Sequence, residues 1–184
     1  MDSRPRDKHL ELVREEISLT LREAEENDAR AILGLMRHVG RNTNYLNVGP
    51  SGLDMSVSEE EAFIRRYARS ERSLLLLAEV DDQLIGIANL SALSGVKQNH
   101  VAEVGLAIVK EYWGYGIGKL LVEEMIEFAK KVNIRVLTLE VVTENQRAIK
   151  LYQHFGFEQK GQLSQRLRHG IIYYDVYVME KVFD

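Results

Sequence analysis

The stretch Tyr112-Trp113-Gly114-Tyr115-Gly116-Ile117-Gly118-Lys119 decides the reading of this chain. Three glycines alternate between the end of an apolar run and the start of a helix-periodic one. Successive amides without Cβ atoms can converge on an anion, and a helix start adds partial positive charge. Phosphate or pyrophosphate is the natural ligand. Two common phosphate motifs do not fit. A P-loop needs four residues between its first glycine and Gly-Lys-Ser/Thr, whereas Gly114 and Gly118 enclose three and Leu120 stands in the Ser/Thr place. A dinucleotide fingerprint needs a third glycine where this chain has Lys119 or Leu121. A plain strand-to-helix turn is the bland alternative, but it needs fewer glycines.

The elements on either side follow from periodicity. Downstream, Ile117, Leu121, Met125, Phe128 and Val132 recur at helical spacing. Arg135 to Val142 reads as a buried strand. Thr143 and Gln146 predict a capping box for a helix to about Phe155, which Gly156 stops. Strands at about 157–167 and 170–181 close the chain as a hairpin through Arg168-His169-Gly170. Upstream, strands at Ser73–Val80, Leu84–Leu93 and about His100–Val109 follow one another, the first two joined at Asp81-Asp82-Gln83. Ser56 and Glu59 predict a capping box for a helix at about 57–68. Residues 40–56 form a long Gly/Asn/Ser-rich connection. A helix from about Asp28 should end at Gly40, and Ile17, Leu19 and Leu21 predict a short strand. Residues 1–15 read as a frayed extension or peripheral helix, and 16–184 as one domain. The order β α α β β β α β α β β predicts an α/β (α+β) mixed sheet of about seven strands with about four helices. Strands 100–109 and 135–142 should be parallel, joined by a right-handed crossover.

Composition removes other classes. Of 184 residues, 45% are hydrophobic and 28% charged, with a net charge of −4, which points away from nucleic acid. No apolar run is long enough to span a membrane. Cysteine is absent, so disulfides, thiolate metal sites and a cysteine nucleophile are excluded. The five histidines show no i,i+4 pair, so no metal site is expected. The charged N-terminal stretch lacks a signal-peptide core, and the expected location is the cytoplasm.

Three segments together carry a family resemblance: Gly105-Leu106-Ala107-Ile108-Val109, the loop Tyr112–Gly118, and Asn145-x-x-Ala148-x-x-Leu151-Tyr152-x-x-x-Gly156-Phe157. They resemble the GNAT superfamily of acyl-CoA N-acyltransferases over about residues 16–184. That family's loop is Gln/Arg-x-x-Gly-x-Gly/Ala. Gly116 and Gly118 fill the glycine places, while Trp113 stands in the Gln/Arg place, a departure that leaves the supporting cation open. Lys119 is a candidate. The resemblance implies a splayed central parallel pair, with the pantetheine arm of acetyl-CoA along Leu106, Ala107, Ile108 and Val109. Pyrophosphate would meet the segment Trp113, Gly114, Tyr115, Gly116, Ile117, Gly118 and Lys119, and Asn145, Ala148 and Tyr152 would flank the arm.

The implied reaction is direct acetyl transfer to a primary amine of a small molecule or protein, without metal. The alternative is a non-catalytic coenzyme A-binding sensor or interaction module on the same fold. Tyr152 matches the family's general acid; its apolar neighbours equally suit a core aromatic. Asn145 matches a pantetheine contact or a first-turn residue, and Thr143 is expected to fill the cap. Carboxylates on central strands are costly without a partner or a purpose. Glu103 is the first candidate for the base, Glu140 the second, and a water chain the third; solvent contact at an edge is the bland reading of both glutamates. Acceptor specificity is expected in the 40–56 loop and the final hairpin, around Tyr45, Tyr173, Tyr174 and Asp175. That hairpin also suggests a homodimer.

Overall fold

The computed structural model describes residues 8–13 and 16–183. Among the described residues, eight strands form one sheet: β1 (Lys8–Val13), β2 (Glu16–Glu23), β3 (Leu74–Val80), β4 (Gln83–Ala92), β5 (Val101–Ile108), β6 (Val136–Val142), β7 (Glu158–His169) and β8 (Ile172–Val182). Their spatial order is β1-β2-β3-β4-β5-β6-β8-β7. The neighbours β5 and β6 are parallel and all other pairs antiparallel. Four helices cover it: α1 (Ala29–Asn42), α2 (Val57–Arg69), α3 (Ile117–Lys131) and α4 (Gln146–His154). The element order from β2 onward is the one the sequence predicts. The eighth strand is β1, inside the stretch read as frayed or helical. It pairs with β2 from Lys8↔Leu21 to Val13↔Glu16, because β2 would otherwise present an unpaired edge.

The sheet is a mixed α/β layer, buried on both sides at β3. Leu75 and Leu77 of β3 pack with Ala29, Ile32 and Ile64 of α1 and α2. Leu74, Leu76 and Ala78 face the other way, into the core that holds Ile117, Leu121, Met125 and Phe128 of α3. The unbroken run of four leucines in β3 is therefore what a strand needs when helices cover both faces. The β3–β4 turn places Asp81 and Asp82 at φ 49° and 62°, which suits a tight two-residue hairpin. Arg22 of β2 bridges Asp28 and Glu79, tying the start of α1 to the sheet.

One expected helix cap is present and one expected helix end shifts. The Ser56–Glu59 capping box is present, with Glu59 N donating to Ser56 Oγ at 3.3 Å and Ser56 N to Glu59 Oε2 at 2.7 Å. By contrast, α1 runs through Gly40 to Asn42. A Cβ at Gly40 would lie 2.0 Å from the Gly49 carbonyl oxygen. That glycine serves the close approach of the 40–56 connection rather than a helix stop.

Candidate active site

The parallel pair is short. Only Val101↔Val136, Ala102↔Leu137 and Glu103↔Thr138 are in register. Beyond them β6 stays paired with β8 as far as Val142↔Val176, while β5 stays with β4. The two strands therefore part. Val109 N donates to Ile85 O on the β4 side. Alternation then turns the amides and carbonyls of Leu106 and Ile108 into the gap. The Ile108 carbonyl accepts from the Trp113 indole N–H, and the other backbone groups there need partners, which an extended ligand can supply as a strand would.

At the mouth of the gap sits the glycine loop. Gly114 and Gly116 have φ of 92° and 86°, values that favour glycine. Gly116 caps α3 without any side-chain hydrogen bond. Of the first four helix amides, those of Lys119 and Leu120 turn back to the Gly116 carbonyl, leaving Ile117 and Gly118 as donors for a ligand. A Cβ at Gly118 would lie 3.2 Å from Leu151 Cδ2, so this glycine also lets α4 approach α3.

Gap and loop open into one cavity of about 760 Å³. Of the residues assigned to the coenzyme from sequence, Leu106, Ala107, Ile108, Trp113, Gly114, Gly116, Ile117, Gly118, Lys119, Asn145 and Ala148 line it. Val109, Tyr115 and Tyr152 do not. Val109 is buried in the core, and the Tyr115 ring packs on Tyr112 at 6.0 Å. Tyr152 is 6% exposed, its ring edge-on to Phe157 at 5.4 Å, and burial pushes its phenol well above the ordinary range. It is thus held protonated.

Asn145, not Thr143, caps α4. Its Oδ1 accepts from Ala148 N at 3.2 Å, whereas Gln146 Nε2 donates to Thr143 O at 3.0 Å. The helix starts two residues later than the Thr143 box would set it. The cap uses the oxygen of Asn145, and the residue also lines the cavity.

Sequence reasoning missed Arg147. Its guanidinium lies 4.9 Å from the Trp113 ring centroid, and a Cβ at Gly114 would be 3.7 Å from its Nη2. Trp113 in turn donates Nε1–H to Ile108 O at 2.8 Å. The residue in the Gln/Arg place thus carries no charge itself but seats a cation from α4 over the loop. Trp113 and Arg147 lie 34 residues apart in sequence, so only an aromatic facing a neighbouring helix hinted at the contact. Lys119 and Lys150 line the same cavity.

Both candidate bases lie on the opposite face of the sheet. Strand alternation puts Glu103, Thr138 and Glu140 on the α1–α2 side. Both glutamates are exposed there. Glu140 accepts from Arg166 Nε at 3.1 Å and Nη2 at 3.0 Å. Glu103 lines neither cavity; Glu140 lines a second one, of about 410 Å³. Tyr45 lines both and packs edge-on to Tyr174 at 6.2 Å. Tyr173 is exposed outside them. Among the described residues, no cluster of three metal-ligating side chains occurs, and no helix is long and apolar enough to cross a membrane.

A parted parallel pair with an uncapped, glycine-started helix at its mouth is a shared architecture, and residues 45–157 match the acetyltransferase (GNAT) family. The chain belongs to that family. It is a GNAT-fold N-acetyltransferase, and its relatives agree. It is 30% identical over 109 residues to the L-amino acid N-acetyltransferase AaaT of Escherichia coli, covering 58% of this chain and 67% of that one. It is 25% identical to the spermidine N(1)-acetyltransferase of Vibrio cholerae, covering 86% and 89%. Among solved structures, a GNAT acetyltransferase from Streptococcus pneumoniae superposes with a TM-score of 0.86 at 34% identity, covering 90% and 99%. The yncA protein of Salmonella typhimurium, solved with its cofactor acetyl-CoA, shares the fold at a TM-score of 0.79 and 19% identity over 90% and 94%.

Proposed function

We propose that this N-acetyltransferase moves an acetyl group from acetyl-CoA directly onto a primary amine. The observation that carries the reading is the single cleft joining the β5–β6 gap to the head of α3 under three basic side chains, Lys119, Arg147 and Lys150. Its size suits an extended coenzyme. The pantetheine arm would lie along Leu106 to Ile108. The diphosphate would meet the Ile117 and Gly118 amides, with Arg147 and Lys119 supplying charge.

The amine nitrogen attacks the thioester carbon, the carbon–sulfur bond breaks, and the thiolate takes a proton. Tyr152, kept neutral by burial, is the donor in this scheme. Glu103 or Glu140 takes the proton that the ammonium loses. Backbone amides around the parted strands hold the developing oxyanion. A coenzyme-binding module without turnover is the rival, and Tyr152 standing outside both cavities is the observation in its favour. A homodimer through the β7–β8 hairpin belongs to the same reading, supported by the exposed Ile171, Ile172 and Tyr173.

Thermal-shift ranking of acetyl-CoA, coenzyme A and ATP, followed by thiol release with an amine panel, tests the proposal. Stabilisation by acetyl-CoA and amine-dependent thiol release are expected. A preference for ATP, or coenzyme binding with no turnover, would reject it.

A further inference from the structure

The second cavity lies over β6, β7 and β8, lined by Glu140, Val142, Arg166, Leu167 and Val176. Glu140 stands two residues beyond the last β5–β6 rung, Glu103↔Thr138. Tyr45 and Leu46 line both cavities, so the smaller one adjoins the coenzyme cleft. A nucleophile seated by Glu140 would stand beside the Tyr45–Leu46 wall that the two cavities share.

Arg166 reaches this place by a special route. The β7–β8 register shifts between Leu163 and Leu167, and Gln165 sits at φ 52°. Asp175 holds the bulge, accepting from the Gln165 amide at 2.8 Å and from Gln162 Nε2 at 2.9 Å. Bulges near sites re-aim a side chain. A non-glycine residue at positive φ is a strain the surroundings must hold in place. Here the result is one guanidinium turned onto the Glu140 carboxylate beside a cavity.

The pair is not saturated. Its two hydrogen bonds use two of the five N–H groups of Arg166. Among the described residues, both Nη1 hydrogens and one on Nη2 have no partner. That free edge has the geometry of a second bidentate carboxylate site. The Glu140 oxygens keep lone pairs for a cation. The side chains are 54% and 42% exposed, so a ligand can reach both. Neighbouring negative and positive heads match a molecule whose ammonium and carboxylate are one carbon apart. A polyamine would instead bring its extra cations against Arg166, and a peptide N-terminus would leave the guanidinium edge empty.

We propose that this cavity is the acceptor site and that it takes a free α-amino acid, ammonium toward Glu140 and carboxylate on the open edge of Arg166. A volume of about 410 Å³ accommodates a molecule of that size. Glu140 then stands beside the ammonium whose proton must leave before nitrogen attacks. The inference rests on the acetyl-transfer reading and adds the acceptor class.

The test measures kcat/KM by thiol release for free amino acids, their amides, a polyamine and a short peptide, with acetyl-CoA binding followed by calorimetry. A bidentate hydrogen bond to a charged group predicts an acid-over-amide ratio of about tenfold to a hundredfold. Arg166→Gln should collapse that ratio toward one, and Arg166→Lys should restore part of it. A structural role for Arg166 would lower both substrates together and leave the ratio intact. Equal turnover of acid and amide, a preference for the polyamine or peptide, or an unchanged ratio in Arg166→Gln overturns the acceptor assignment while acetyl transfer stands. Failure to bind acetyl-CoA removes the underlying reading and this one with it.

Discussion

Arg147→Ala is the perturbation that tests the coenzyme cleft most directly. Its guanidinium stacks on Trp113 at 4.9 Å and stands beside Gly114, over the turn whose amides would meet a diphosphate. A hydrogen bond between charged groups contributes about 1.5–3 kcal/mol. Arg147 is exposed, so solvent screening reduces this to about 1–2 kcal/mol, or roughly five- to thirtyfold in Kd. Isothermal titration with acetyl-CoA, beside acetyl-pantetheine, separates the effects, since the second ligand has no diphosphate. Acetyl-CoA should weaken by the stated factor, acetyl-pantetheine by less than about twofold. The salt dependence of acetyl-CoA binding should also flatten, because screening acts on the removed charge. Equal weakening of both ligands would mean that Arg147 merely orders Trp113. An unchanged acetyl-CoA Kd would refute the diphosphate role.

Other outcomes follow from the same geometry. Tyr152→Phe should lower kcat about a hundredfold in steady-state assays while leaving the acetyl-CoA Kd within about twofold, and kcat of the parent should show no loss from phenol ionisation below pH 10. Burial raises the folded-state pKa of Tyr152, so its stabilising contribution is present below the unfolded value near 10 and is lost at higher pH; the Phe variant should denature less steeply there. Gly116→Ala forces an alanine to φ 86° with nothing within 4 Å of its Cβ, a strain of about 1–2 kcal/mol readable in chemical denaturation, whereas Gly118→Ala meets the flexible side-chain ends of Leu151, Ile108 and Leu106 and should fold normally. Glu60, 1% exposed with Oε2 unpartnered, has its carboxyl pushed up by burial. A raised pKa means stability is lost as pH rises through it, so Glu60→Gln should exceed the parent in stability at pH 8 and lose that advantage toward pH 4 in thermal melts.

The order of elements from β2 onward, the parallel β5–β6 pair and the glycine turn that starts α3 were all legible in the sequence. Each depends on local spacing: period two for the strands, period 3.6 for α3, and glycines where the backbone must turn and donate. The α2 cap was legible for the same reason, since Ser56 and Glu59 meet within one turn. At α4 two residues with capping side chains competed, and only the helix path showed that Asn145 holds the position. Gly40 misled because a glycine kept for close packing looks the same in sequence as one that ends a helix.

Tertiary structure alone decided how far the strands part, because that depends on β6 following β8 and β5 following β4. It also decided the charges. Arg147 reaches Trp113 and Arg166 reaches Glu140 across separate elements, the second through a bulge pinned by Asp175. Local sequence states which side chains can donate, accept or carry charge. Which of them meet is set by sheet order and register, and those arise from the packing of the whole chain.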